Sequence, residues 1–169
     1  MKSWRLFIFH FVMIFVPPTR CFALKRALLR FCGATIGNNA RIASSARFYL
    51  TGPLEIGPST WVGHEVMILG GAVAVTIGAN VDIGPRVMIV TGSHRLWENP
   101  DRAAGSGFSK PIIIQDGSWV GAGAIILGGV TIGEASMVAA GALVRQDVAP
   151  HTAVAGVPAQ LFGKTTEHQ

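Results

Sequence analysis

The most regular feature of the chain is a hydrophobic position that returns every six residues. From Ile36 onward an aliphatic or aromatic side chain falls at 36, 42 and 48, then at 56, 62 and 68, then at 77, 83 and 89, and finally at 114, 120, 126, 132, 138 and 144. The next residue is Gly at 37, 57, 63, 78, 84, 121 and 133, seven of fifteen units where the overall Gly frequency gives about two. Four residues after the hydrophobic position most units place a small or β-branched residue, as at Val66, Val81, Ala124, Ser136 and Ala142. Neither the helical period of 3.6 nor the strand period of 2 produces a six-residue repeat, whereas three flat faces per turn require about 18 residues per coil. The pattern therefore predicts an all-β solenoid, a parallel β-helix of about five coils, with like side chains stacked along the interior at a strand spacing of about 4.8 Å.

The interruptions divide the chain. Insertions between 48 and 56 and between 68 and 77 are turn-sized, but the gap from 89 to 114 is much longer. Residues 95–110 read as a loop rich in Gly, Ala and charge, and a long loop leaving a regular scaffold marks a functional segment. Three parts result: an apolar and basic helical segment at 1–33, the repeats at 34–150 with the 95–110 loop, and a tail at 151–169.

The first part has its own pattern. Residues 6–16 are apolar apart from His10, Pro17-Pro18 ends this helix, and residues 20–31 interleave Phe22, Leu24, Leu28, Leu29 and Phe31 with four cations. A run of 11 is too short to span a bilayer, which takes about 20 residues. The expected role is a membrane-surface anchor formed by residues 1–30, its apolar side chains in the headgroup boundary and its Lys and Arg on anionic lipid. Two alternatives stand beside it: packing of both helices on the domain or on a neighbouring subunit, and a secretory signal ending near Cys21-Phe22-Ala23.

Composition sharpens this reading. Half the residues are hydrophobic and 14% are charged, which excludes a disordered chain and a coiled coil. The net charge is +5, yet residues 1–30 hold six cations and no acid while the remainder has eight basic and nine acidic residues. The basic character belongs to one terminus, so no nucleic-acid partner is expected. Cys21 and Cys32 are too few for a disulfide scaffold, and a reducing compartment follows.

Three segments carry a resemblance that covers residues 36–164. They are Ile83-Gly84-Pro85-Arg86-Val87-Met88-Ile89 leading to Thr91-Gly92-Ser93-His94, Trp119-Val120-Gly121-Ala122 continuing to Gly129-Val130-Thr131-Ile132-Gly133, and Ala155-Gly156-Val157-Pro158-Ala159. Together they resemble the hexapeptide-repeat acyltransferases, and within them the small O-acetyltransferases encoded with surface-polysaccharide genes. The resemblance implies a left-handed β-helix, a homotrimer with sites between subunits, acetyl-CoA as acyl donor, a small-molecule or lipid-linked sugar as acceptor, and no metal. It implies His94 as the catalytic residue. Coenzyme contacts carry over to Ala122, Ala140, Arg145 and the 160–164 tail, including Lys164, although the second basic residue that the family often shows on this tail is replaced by Gln160. On the acceptor side the family's Asn position holds His64, followed by Glu65, while Trp97 and Trp61 offer aromatic faces for a pyranose.

The chemistry agrees with that carry-over. Acyl transfer to a hydroxyl needs a base near neutral pH within hydrogen-bond reach, which an imidazole with a pKa near 6.5 provides. Glu98 and Asp101 are the nearby acids that could orient the ring. The expected location is the cytoplasm, on the inner face of the membrane. Competing readings are an acetyltransferase for an amino sugar, amino acid or antibiotic, a non-enzymatic scaffold, and a carbonic-anhydrase-type zinc enzyme, for which His64 and His94 lack a third suitably placed His.

Overall fold

The structure, a computed structural model, describes residues 1–164. Each six-residue unit forms one short strand followed by a tight turn, and the strands assemble into three parallel faces around one core. The first face stacks Thr35–Ile36, Leu54–Ile56, Val75–Ile77, Ile112–Ile114 and Thr131–Ile132, continued by a bridge to Val148. The second stacks Arg41–Ile42, Trp61–Val62, Asp82–Ile83, Trp119–Val120, Met137–Val138 and Thr152–Ala155. The third stacks Arg47–Tyr49, Met67–Leu69, Met88–Val90, Ile125–Leu127 and Leu143–Val144. The chain visits the faces in this order five times, so every strand pairs with the strand of the same face one circuit away.

All fifteen periodic side chains point inward and are buried. Burial of each contributes roughly 1.5–3 kcal/mol, which makes these columns the main stabilising element. Buried hydroxyls complete the turns: Thr60 Oγ1 donates to the Gly78 carbonyl at 2.6 Å and accepts from Val81 N–H at 3.1 Å, and Ser118 Oγ donates to the Gly133 carbonyl at 2.7 Å.

Stacking explains the Gly that follows the hydrophobic position. At Gly57 an added Cβ would lie 2.4 Å from the carbonyl carbon of Gly78 on the next circuit, a distance no side chain tolerates. The turn makes a second demand two residues later. There the backbone is left-handed, at Asn39, Asn80, Gly117 and Gly123, which suit that conformation, and also at Glu65 (φ 57°) and Arg86 (φ 60°), which do not.

Three findings go beyond the sequence reading. The segment expected to be a 95–110 loop is a β-hairpin of strands Gly92–Asn99 and Arg102–Ser109, paired antiparallel outside the three faces. Neither strand buries a face, so neither carries the apolar alternation that marks a strand in sequence. The tail folds back as Gln160–Lys164, antiparallel to Thr152–Ala155.

The third concerns the amino-terminal helices, α1 (Ser3–Met13) and α2 (Phe22–Phe31), which cap the first circuit, the packing alternative named above for residues 1–30. Leu6, Phe9, Met13 and Leu29 belong to the same buried cluster as the repeats, with the Phe9 and Phe48 rings edge to face at 5.8 Å. Four of the six cations satisfy backbone carbonyls. Lys25 Nζ donates to Pro17 and Pro18 (3.1 and 2.6 Å), Arg26 to Ala40 (3.0 Å), Arg30 to Ile36 (3.0 and 2.5 Å) and Arg5 to Phe31 (2.7 Å). The expected lipid-facing cations of the second helix are thus largely occupied by the chain itself.

Two predictions follow from this packing. Gly57→Ala should destabilise the protein by about 1–3 kcal/mol in urea unfolding, because backbone must move to admit the methyl. His10 Nε2 accepts from Phe48 N–H at 3.1 Å, and burial, reinforced by the Arg47 charge, lowers the imidazole pKa from 6.5 to about 4. The unfolded chain takes up this proton near 6.5 and the folded chain only near 4. His10 therefore contributes stability in full above pH 6.5 and loses it as the pH falls toward about 4. His10→Gln, which keeps an acceptor for Phe48, should flatten this part of the stability profile.

Candidate active site

The hairpin leaves the third circuit directly after its third-face strand, and His94 sits on its first strand opposite Gly107. Its Nδ1 lies 2.9 Å from the Gly105 carbonyl oxygen. A carbonyl only accepts, so Nδ1 carries the proton in the neutral ring and the Nε2 lone pair is left for another group. The ring is exposed on a groove walled by Ala72 and Val73 from the preceding circuit and by Ser93, Phe108 and Ser109.

The orienting group is therefore a main-chain carbonyl, not the Glu98 or Asp101 carboxylate. Glu98 instead holds the second strand of the hairpin, accepting from Ser106 N–H at 2.6 Å and from Ser106 Oγ at 3.0 Å. These two bonds draw its carboxyl below the usual Glu pKa. Ser106 follows Gly105, so Glu98 fixes the strand whose carbonyl orients the imidazole. Asp101 lies at the hairpin turn, where its N–H donates to Asn99 Oδ1 at 3.0 Å.

A second groove runs along the corner between the second and third faces. It gathers His64, Glu65, Pro85, Arg86, Ala122 and Gly123 from three successive circuits. Glu65 Oε2 accepts from Arg86 Nε at 2.7 Å, an ion pair between exposed side chains, and His64 Nδ1 lies 3.3 Å from Ser45 Oγ. Ala122 and Ala140 are exposed at equivalent positions of adjacent circuits, where Gly141 N–H donates to the Ala122 carbonyl at 2.8 Å. Small side chains there leave main chain open to a ligand lying along the corner. Sequence reasoning missed Arg86, since a charged turn residue looks like any solvated charge; its left-handed backbone becomes visible only once the turn register is known.

A third groove, at the carboxyl-terminal end, is lined by Arg145, Asp147, Thr152, Gln160 and Leu161. The Lys164 side chain lies outside the described residues. Trp97 stands well exposed on the hairpin (φ 55°) and lines none of these three grooves, and Trp61 is half-buried on the second face against Phe22 of α2, ring centroids 6.2 Å apart. Within one chain, then, the structure unites His64, Glu65 and Ala122, and separately Arg145 with the tail, but it leaves His94 on a different corner. Among the described residues no three His, Cys, Asp or Glu side chains cluster to hold a metal.

This combination of stacked six-residue units, a corner lined by small residues and an emerging hairpin bearing a His defines a class. Residues 111–146 match the family model for the bacterial transferase hexapeptide (six repeats). The chain is 34% identical to the galactoside O-acetyltransferase of Escherichia coli K12 over 82% of its own length and 67% of the relative's. It is 30% identical to a putative colanic acid biosynthesis acetyltransferase of the same organism over 89% and 80%. It superposes with a TM-score of 0.80 and 32% identity on a hexapeptide-repeat-containing acetyltransferase of Vibrio cholerae solved with acetyl coenzyme A, covering 96% of this chain and 86% of that one. The chain belongs to the hexapeptide-repeat acetyltransferase family. It spans just over half the length of other curated relatives, 53% of one and 57% of another.

The hairpin geometry predicts the tautomer. Nitrogen-15 NMR of neutral His94 should show a protonated Nδ1 and an unprotonated Nε2. Glu98→Ala, which frees the strand carrying Gly105, should blur this into a mixture of tautomers, while Glu98→Gln, still able to accept from Ser106, should preserve it.

Proposed function

We propose that this protein transfers an acetyl group from acetyl coenzyme A to a sugar hydroxyl in polysaccharide or glycolipid biosynthesis, working in the cytoplasm as a homotrimer whose five circuits are coils of a left-handed β-helix. The observation that carries the reading is His94, held by a main-chain carbonyl with Nε2 free on an exposed groove, in a chain whose relatives are named acetyltransferases. The relatives named for galactoside and colanic acid chemistry support a sugar acceptor.

The corner groove suits the donor. Exposed Ala122, Gly123 and Ala140 would admit an extended pantetheine arm against main chain, and Arg145 offers a charge-assisted donor for phosphate at the carboxyl-terminal end. His64, Glu65 and Arg86 supply hydrogen-bonding groups for an acceptor. Because His94 and this corner are separate in one chain, the site on this reading is completed between subunits, with the hairpin of one facing the corner of the next.

The thioester supplies an activated acetyl group. His94 Nε2 takes the hydroxyl proton as the sugar oxygen bonds to the acetyl carbon, a main-chain amide near Ala122 or in the His94 turn stabilises the developing oxyanion, and the imidazolium returns the proton to the departing sulfur. Ser93 lies beside the base and defines the alternative, a covalent acetyl-enzyme.

General-base catalysis typically contributes 10²–10⁴-fold, so His94→Ala should lower kcat by about that factor with coenzyme affinity unchanged. A panel of nucleotide sugars and lipid-linked sugars with labelled acetyl-CoA identifies the acceptor, and lability of the product to hydroxylamine distinguishes an ester from an amide. A His94→Ala enzyme that keeps more than about a third of wild-type kcat would remove His94 as base. An acetyl-Ser93 that accumulates without acceptor would replace direct transfer.

A further inference from the structure

We infer that the outer face of α1 is a docking surface for an anionic lipid leaflet. The helix is apolar on two sides. Leu6, Phe9 and Met13 face inward and are buried on the first circuit, whereas Trp4, Phe7, Phe11, Ile14 and Phe15 face outward and are between 56% and 74% exposed. Positions 4, 7 and 11 form one helical stripe that Ile14, the C-cap, and Phe15 just beyond it continue, so this is a patch and not a scatter of single exposed side chains. A helix apolar on two opposite sides needs an apolar phase on each, and the protein provides only one.

Charge identifies what covers the other side. Residues 1–54 hold eight Lys and Arg and no Asp or Glu, while residues 55–169 hold six and nine. Arg5, Lys25, Arg26 and Arg30 are tied to carbonyls and are not free to meet lipid head to head. Lys2, Arg20 and Arg41 are exposed at the same end. An aromatic centre with a cationic surround matches the boundary between acyl chains and anionic headgroups. A second copy meeting this end face to face would oppose like charges. The helix would lie in the plane of the leaflet: α1 has 11 residues, and among the described residues no helix is long and apolar enough to cross a membrane. The roles differ from those expected from sequence, since α1 supplies the apolar contact and α2 holds α1 through the Arg5 bond to the Phe31 carbonyl.

The test uses the full chain. It should sediment with vesicles of phosphatidylglycerol and phosphatidylcholine in equal parts at least about tenfold better than with phosphatidylcholine alone, and added salt should weaken the difference. Brominated acyl chains should quench part of its tryptophan emission, and Trp4→Phe should abolish that part. The triple variant Phe7→Ser/Phe11→Ser/Phe15→Ser should lose at least about tenfold in partition with an unchanged urea midpoint, as all three side chains are exposed. Wild-type protein that ignores both vesicles, or a triple variant that partitions as wild type, overturns the assignment. Emission equally quenched in wild type and Trp4→Phe does so within an intact fold. A triple variant that lowers the oligomeric state, with wild type ignoring lipid, assigns the face to a second copy instead.

Discussion

The structure depends on one constraint: every circuit must give its backbone hydrogen bonds to the circuit above and the circuit below, at strand spacing and in register. The six-residue repeat is the chemical record of that constraint. The inward hydrophobic position fills the interior column, the next position must be Gly where two backbones meet closely, as Gly57 meets Gly78, and two residues on the chain must turn through a left-handed conformation. Stacking also creates ends. An uncovered first circuit would expose Ile36, Ile42 and Phe48 with their backbone edges, and α1 and α2 close that end with apolar side chains and with Arg26 and Arg30 as donors to its carbonyls.

A scaffold this regular has no interior space for chemistry, so the candidate site lies where regularity fails. The hairpin interrupts the stack at one corner and carries His94 clear of the surface, held through Nδ1 by the Gly105 carbonyl. On the proposed reading the stack itself supplies the other half, a corner where Ala122, Gly123 and Ala140 leave the main chain accessible and where Glu65 and Arg86 pair in left-handed turns.

The columns were legible because burial imposes a period. All fifteen positions marked by that period are buried, and the two helices were marked by the apolar run and by Pro17-Pro18. His94 was legible through its surroundings, Thr91-Gly92-Ser93-His94. The hairpin was not, since strands exposed on both sides leave no hydrophobic pattern. Nor were the partners of His94, Lys25 and Arg30, because a main-chain carbonyl has no signature in the sequence and an acid nearby in the chain, such as Glu98, looks like the better partner. The apolar character of residues 6–16 was plain, but how it divides between an inner and an outer face required the position of the first circuit.

The central claim is that a working site joins the hairpin of one chain to the corner of another, and subunit mixing tests it directly. Chains bearing His94→Ala and chains bearing Ala122→Trp, each inactive alone, would be co-assembled in equal amounts. In a randomly mixed closed trimer about a quarter of the interfaces pair an intact hairpin with an intact corner, so acetyl transfer should recover to about a quarter of the wild-type rate. A mixture as inactive as its components, with mixed trimers present, would contradict a site shared between subunits.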